Sequence, residues 1–209
     1  MFAVIFEVEP KKERWDEYLG IAKGLRPKLE AVPGFVDNER FLSRRKDGRL
    51  LSLSIWRDEK ALIRWRTEAA HHRAQEKGRS EVFEDYHLRV GEIVADSDAP
   101  PGIALDRLRF DETEAGAAKA VTITETTAPA AELAVAAGSE GVVDQELYES
   151  ITTEGKRLLL VSWRDADAAK RWRPSLSAPF RHRQVRIIRD YGMFDRREAP
   201  QFYPDVRRG

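Results

Sequence analysis

The chain has 209 residues and contains no cysteine, which excludes disulfide bonds, thiolate nucleophiles and metal sites built on sulfur. Lysine plus arginine equal aspartate plus glutamate at 36 each, so no net field draws the protein to nucleic acid or an anionic membrane. The opening MFAVIFEVEP is apolar, but it is short and lacks a basic leader. We therefore expect no signal peptide, no membrane span and, by default, a cytoplasmic location.

Self-contained catalytic signatures are also missing. The sequence has no glycine-rich phosphate loop, no nucleophile elbow and no HExxH metal motif. We therefore predict neither a bound metal nor another cofactor. Apolar residues make up 42% of the chain and charged residues 34%, which is enough for both a core and a solvated surface.

One phrase occurs twice in the chain. GRLLSLSIWRDEKALIRWR, which begins at Gly48, aligns without a gap on GKRLLLVSWRDADAAKRWR, which begins at Gly155. Both copies contain the triplet Trp-Arg-Asp, and together they use four of the five tryptophans. At this chain length the repeat favours two small domains over one large domain.

Hydrophobic spacing predicts six elements in the first half. In the order strand, helix, strand, strand, helix, strand, they cover residues 4–8, 15–29, 35–42, 50–56, 58–78 and 85–94. Pro27 should kink or end the first helix, and Asp58 should cap the second. This order is that of a ferredoxin-like unit.

The second half repeats the order with less helix. Its predicted elements cover residues 120–126, 129–137, 142–150, 156–163, 165–173 and 181–191. Matching His87 with His182 and Val90 with Val185 leaves far fewer residues for the second helix of this half. We therefore divide the chain into a domain at 1–95, a linker at 96–118, and a degenerate repeat with shortened helices and a C-terminal tail at 119–209.

The predicted strands carry apolar side chains on both faces, whereas two helices can cover only one face of a sheet. Exposing a large apolar side chain costs about 1.5–3 kcal/mol relative to burial. The sequence therefore predicts an α+β fold in which two ferredoxin-like repeats pack sheet to sheet as an intramolecular pseudo-dimeric α+β barrel. Further association of whole chains is left open.

Three segments carry a resemblance to a known family: IFEVEPKKERWDEYLGIAKGLRPKLEAVPGF from Ile5, LSLSIWRDEKALIRWR from Leu51, and HHRAQEKGR from His71. They resemble the antibiotic biosynthesis monooxygenase family, whose members form dimeric α+β barrels. This chain is similar to two such units in tandem, the second degenerate. The family includes quinol and anthrone oxygenases, haem-degrading enzymes and proteins without a known role, so the resemblance implies a fold more firmly than an activity.

The candidate catalytic residues are His71 and Trp65. His71 follows Trp65 by six residues on the predicted helix, and His72 returns to nearly the same face as Trp65. The resemblance implies a histidine at the place of His71, near a pocket between helices and sheet. The alternative is that the histidines lie on a solvated helix and that Trp65 is core. The candidate substrate-binding residues are His72, Tyr18, Phe6, Tyr86 and Arg79.

Three functional hypotheses follow. The first is a cofactor-independent monooxygenase that oxidises an electron-rich aromatic such as a quinol or anthrone with O2, in a pocket of the first repeat. The second is haem binding or degradation. Degradation is disfavoured because the resembling enzymes use a first-strand asparagine, whereas the only asparagine here is Asn38 and the first strand has Phe6 and Glu7. The third is a small-ligand binding protein without turnover.

Overall fold

The computed structural model describes residues 1–103, 105, 107–135 and 138–206. The strands are β1 (Phe2–Pro10), β2 (Phe35–Ser43), β3 (Leu50–Trp56), β4 (Phe83–Asp96), β5 (Ala120–Thr126), β6 (Val142–Ser150), β7 (Arg157–Trp163) and β8 (Phe180–Gly192). The α-helices are α1 (Trp15–Glu30), α2 (Glu59–Thr67), α3 (Ala69–Lys77) and α4 (Ala166–Arg171). The expected α+β class is confirmed.

The eight strands close into one antiparallel barrel in the order β1-β3-β2-β6-β7-β5-β8-β4. The halves join at two seams: β2 pairs with β6 over a short stretch, and β4 pairs with β8 from His87↔Gly192 to Asp96↔Arg183. Apolar side chains of both halves fill the barrel, including Phe41, Leu51, Ile123 and Leu160. Each half therefore buries the inner face of the other, and closure leaves no free sheet edge.

The repeated phrase builds the same local structure in both halves. Trp56 pairs with Phe2, as Trp163 pairs with Ala120. The Asp58 and Asp165 carboxylates each accept a hydrogen bond from a first-turn backbone N–H, at 2.8 and 2.7 Å. These contacts confirm that Asp58 caps a helix.

A glycine turn precedes the hairpin of each half. Gly34 and Gly141 have φ of +95° and +84°, a region that favours glycine. A Cβ at these positions would lie 2.7 Å from the Ala61 Cβ and 2.5 Å from the Ala168 Cβ. Glycine therefore lets the turn approach the helix that follows.

Helix α1 agrees with the predicted range to within one residue and continues past Pro27 to Glu30, so Pro27 does not end it. Two other helices differ from the prediction. The single helix expected over 58–78 is wrong, because Glu68 is extended (φ −61°, ψ 132°) and separates α2 from α3. The helix expected over 129–137 is also wrong for its described part, which holds only a 3-10 turn at Ala130–Glu132. Ala136 and Ala137 lie outside the described residues.

The match of His87 with His182 is wrong by one residue. His87 lies opposite Glu7 on β1, whereas His182 lies opposite Thr124 on β5, so the strand register makes Leu88 the counterpart of His182. A one-residue slip turns a side chain to the other face of the sheet. Accordingly, His87 contacts a carboxylate of the barrel interior, whereas His182 lies against Trp172 outside the barrel.

His87 predicts a pH dependence of stability. Burial opposes its charge, but Asp190 (Nε2 to Oδ1, 2.6 Å) and Glu7 (Nδ1 to Oε2, 3.5 Å) outweigh burial and nearby Arg89, so its pKa is raised. A raised folded-state pKa stabilises the protein below the unfolded value of about 6.5, and this contribution disappears as pH rises through the folded value. Thermal denaturation between pH 6 and 9 should therefore show a smaller decline in Tm for His87→Gln than for the unmodified protein. Parallel curves would contradict this prediction.

In the described part of the chain, no helix is both long enough and apolar enough to cross a membrane.

Candidate functional site

A cavity of about 220 Å³ lies between the outer face of the first-half strands and helices α1, α2 and α3. Alternate residues of β1 point out of the barrel, so Val4 and Phe6 form part of its floor. The helices add Leu25, Leu62 and Trp65. The lining is mainly apolar, as expected for a small-molecule site.

The helix break at Glu68 sets the position of His71. The Glu68 side chain accepts a hydrogen bond from the His71 N–H (2.8 Å) and thereby caps α3. With the helix interrupted at this residue, the His71 ring stacks on the Trp65 ring at a centroid distance of 4.1 Å and an interplanar angle of 14°. An unbroken helix would instead have placed His72 near the face of Trp65.

The His71 ring is neutral near pH 7. Burial lowers its pKa to about 4, although the Trp65 carbonyl and Glu68 act in the opposite direction. Its Nδ1 lies 2.9 Å from the Trp65 carbonyl oxygen, which only accepts hydrogen bonds. We assign the proton to Nδ1 and the lone pair to Nε2, because Nδ1 makes the shorter contact and the Gln75 amide nitrogen, a donor, lies 3.5 Å from Nε2 as well as 3.1 Å from Nδ1. Such a ring can accept a proton at Nε2.

The structure brings six of the seven candidate residues to this cavity: Phe6, Tyr18, Trp65, His71, Arg79 and Tyr86. His72 does not line it. His72 instead contacts a C-terminal segment that also lines the cavity, and its ring stacks on Tyr203 at 5.6 Å.

That segment comprises residues 193–206 and is called the strap below. The Tyr203 hydroxyl donates to Gln75 Oε1 at 2.9 Å and lies 3.1 Å from His72 Nδ1. Arg196, Gln201 and Tyr203 line the cavity beside the first-half residues. The second half therefore completes a site that the sequence assigned to the first half alone. The sequence signal that could have pointed to the strap is the aromatic and basic composition of FDRREAPQFYP.

Two arginines meet at Tyr86. Arg79 donates from Nη1 to the Tyr86 hydroxyl oxygen (2.8 Å) and to the Met193 carbonyl (3.0 Å). Arg196 donates from Nη1 to the same hydroxyl at 2.6 Å. Both guanidinium groups also lie over the Tyr203 ring, at 5.6 and 5.4 Å from its centre. Two positive charges thus share one neutral acceptor.

The cavity is positively charged although the whole chain is neutral. Among the residues that the structure describes, its one lining carboxylate, Glu59, is paired with Arg109 at 2.6 Å. The lining arginines without a carboxylate within 4.0 Å in this part of the chain are Arg40, Arg66, Arg79, Arg189 and Arg196. The site therefore combines an apolar volume with unneutralised cations.

Another hollow, of about 270 Å³, is more open and lies where β4 meets β8. It is lined by residues of both halves, including Asp85, His87, Asp190 and Asp195. Its lining is more polar, and its aromatic and apolar surface is small.

Comparison with known proteins identifies the family. The model of the family described as antibiotic biosynthesis monooxygenase matches residues 1–77. A protein of Pyricularia oryzae (strain 70-15), named jasmonate monooxygenase ABM, is 44% identical over 98% of this chain and 99% of its own length. The chain belongs to the antibiotic biosynthesis monooxygenase family.

Two further proteins are similar to this member of the antibiotic biosynthesis monooxygenase family, one in sequence and one in fold. The uncharacterized protein YqjZ of Bacillus subtilis (strain 168) is 35% identical over 44% of this chain and 78% of its own length. The crystal structure of an aldoxime dehydratase in complex with butyraldoxime has a TM-score of 0.54 at 10% identity, covering 90% of this chain and 79% of that chain. At this identity the likeness concerns the fold alone.

The cavity of this family member can be compared with what a haem group or a metal ion requires. His71 Nε2 could act as a ligand, but about 220 Å³ is below the roughly 300 Å³ at which pockets for drug-sized ligands begin. A macrocycle such as haem does not fit this volume. Within residues 1–103, 105, 107–135 and 138–206, no three side chains of histidine, aspartate or glutamate are grouped to hold a metal ion.

Proposed function

We propose that this chain is a monooxygenase that binds a small ring compound in the cavity that residues 1–95 form with the strap, and oxidises it with O2. The observation that carries the proposal is a neutral, partly buried histidine, His71, beside an apolar cavity. The full-length relative named as a monooxygenase supports the same reaction class. The partners proposed are therefore a small, electron-rich substrate and molecular oxygen.

His71 is proposed as the catalytic base. For an anthrone-like substrate, Nε2 accepts a proton from the activated methylene carbon, and the resulting carbanion donates electrons to O2. A C–O bond forms, the second C–H bond and the O–O bond break, and the other oxygen atom leaves as water. One CH2 group and one O2 thus give one C=O group and one H2O, so the substrate itself supplies all the electrons.

The surroundings of His71 support this role. Trp65 holds the ring by stacking and through its carbonyl, so the lone pair on Nε2 keeps a fixed direction. An apolar lining keeps water from the carbanion, and the cavity arginines can stabilise negative charge on the substrate oxygen. Phe6 and Tyr18 are proposed to contact the substrate ring, and Arg79 and Tyr86 its polar groups. His72 is proposed to contribute indirectly, by its contact with Tyr203 of the strap.

We also propose that the chain is a tandem pseudo-dimer of two ferredoxin-like units. Residues 1–95 form the cavity-bearing unit, 96–118 the linker, and 119–209 the supporting unit. The equivalent pairings Phe2↔Trp56 and Ala120↔Trp163 support this division. Measurement of the molar mass in solution will tell whether whole chains associate further.

The test is oxygen uptake with a panel of anthrones, quinols and jasmonate, the compound in the name of the relative. We expect oxygen uptake with at least one compound of the panel. When the gas is ¹⁸O2, one ¹⁸O atom should appear in the organic product. His71→Ala should reduce kcat/KM about a hundredfold, the lower end of the range for general bases, because a pKa of about 4 makes His71 a weak base.

His182→Ala is the matched control. Burial also lowers the pKa of His182 to about 4, and His182 also lies beside a tryptophan, Trp172, but on the second half. Its replacement should leave turnover unchanged. Equal losses in both variants would remove the role of His71. Ligand binding without oxygen uptake across the panel would favour the alternative of a binding protein without turnover.

A further inference from the structure

We propose that the substrate of this cavity carries a carboxylate, and that Arg79, Arg196 and Tyr86 form the subsite that binds it. The inference rests on the proposed function only in taking this cavity as the substrate site. It adds the chemical class of the substrate and the residues that select it.

Arg79 is the first ground for this inference. Arg79 is only 5% exposed, yet its side chain donates hydrogen bonds only to the Tyr86 hydroxyl and to the backbone carbonyls of Met193 and Pro204 among the described residues. All three are neutral. A buried charge without a partner of opposite sign is costly, and proteins usually pair it.

The other buried arginines show that this chain follows that rule elsewhere. Arg89 donates to Glu7 at 2.6 Å, Arg186 donates to Glu92 at 3.0 Å, and Arg183 is paired with Asp96 at 3.2 Å. Their exposed fractions are 3%, 6% and 3%, close to the 5% of Arg79. Arg79 alone among these four has no carboxylate within 4.0 Å in the described part of the chain, and it is the one that lines the cavity.

Arg196 is the second ground. It brings a further positive charge to the same hydroxyl oxygen, and it too has no carboxylate partner among the described residues. Two guanidinium groups on one neutral acceptor repel each other unless an anion lies between them. The Tyr86 oxygen accepts from both arginines, so its own O–H proton remains to be donated. Two planar guanidinium groups and one hydroxyl suit the two oxygens of a carboxylate.

The rest of the cavity limits what the carboxylate is attached to. The volume is about 220 Å³ and the lining beyond the arginines is mainly apolar, with Phe6 at 5.6 Å from the Tyr86 ring centre. The ligand is therefore a small apolar ring or chain that ends in one acidic group. His71 lines the same cavity, so the acidic group and the proposed base belong to one site.

The test compares acids with their methyl esters, which have the same apolar body and no charge. Calorimetric titrations would use jasmonate and 2-naphthoate, each against its methyl ester. We expect at least one acid to bind about ten- to a hundredfold more tightly than its ester, as for a hydrogen-bonded charge. Arg79→Gln should weaken the acid to the level of the ester and leave the ester unchanged. Arg196→Gln, at a less buried site, should give the same selective loss if Arg79→Gln fails to fold.

Arg64→Gln is the control variant. Arg64 is exposed on α2 and does not line the cavity, so this change removes the same charge and should leave both affinities unchanged. Equal binding of acid and ester in every pair, or no binding of any acid, would overturn the inference. Tight acid binding without oxygen uptake would keep the carboxylate subsite and remove the proposed oxygenase reaction, so the two failures are distinguishable.

Discussion

Replacement of Glu7 by leucine should lower the free energy of unfolding by about 3–5 kcal/mol, because it leaves a buried charge unpaired. Glu7 lies inside the barrel, where its Oε2 accepts from Arg89 Nη2 (2.6 Å) and its Oε1 accepts from the Tyr148 hydroxyl (2.7 Å). Arg89 is only 3% exposed and has no second carboxylate within 4.0 Å among the described residues. Chemical denaturation in urea measures the change.

The double variant Glu7→Leu/Arg89→Met is the matched control for this prediction. Removal of both charges should recover much of the lost stability, since an apolar pair of similar volume avoids the desolvation cost. Burial opposes charge on Glu7, but Arg89, His87 and Tyr148 outweigh it and hold its pKa well below the usual range. The stabilisation is therefore complete above a pH of about 4.3 and is lost only as pH falls towards the folded-state pKa. An equal loss in the single and double variants would contradict the pairing.

Trp56→Ala and Trp163→Ala should each destabilise the protein by about 3–5 kcal/mol, the usual cost of truncating a large aromatic side chain in a core. Trp56 is 0% exposed and packs against Phe35 at 5.5 Å, and Trp163 is 1% exposed and packs against Trp172 at 5.9 Å. Each indole N–H also donates to a hydroxyl of its own half at 3.0 Å. Thermal denaturation followed by circular dichroism measures both.

Trp65→Ala and Trp172→Ala are the controls, because these tryptophans are only partly buried and should cost less. The two core variants should also unfold in a single transition, since both halves share one closed sheet. Two separate transitions, or a negligible effect of Trp163→Ala, would show that the second half does not contribute to a common core.

The sequence was most informative where hydrophobic spacing and turn residues agree. The bounds of β3, β5 and β6 were predicted to the residue, because β3 ends in the repeated Trp-Arg-Asp triplet, β5 ends shortly before Pro129, and β6 begins directly after Gly141. The break at Glu68 escaped prediction since neither proline nor glycine marks it. Its cause is a side-chain cap on the His71 N–H, which competes with helix continuation only in the folded surroundings.

The site was predicted in part for a related reason. Phe6, Tyr18, Trp65 and Tyr86 lie in elements whose faces can be read from spacing, whereas His71 was proposed from the family resemblance and Arg79 lies beyond the predicted helix. All six residues line the cavity. Arg196, Gln201 and Tyr203 lie in an irregular segment, so no periodicity assigns them a direction. Their position depends on contacts with residues more than a hundred places earlier in the chain, such as Tyr203 with Gln75.

The pairing of β4 with β8 also means that the barrel can close only after the C-terminal strand has been synthesised. When the ribosome has released β1 to β4, the apolar inner face of that sheet and the backbone edges of β2 and β4 have no partner. β2 and β4 can pair only after β6 and β8 have been synthesised, and pairings between strands far apart in the sequence form slowly. Until then, a nascent chain can pair with its neighbour on the same messenger RNA, so chaperone demand and misassembly should be greatest at this stage.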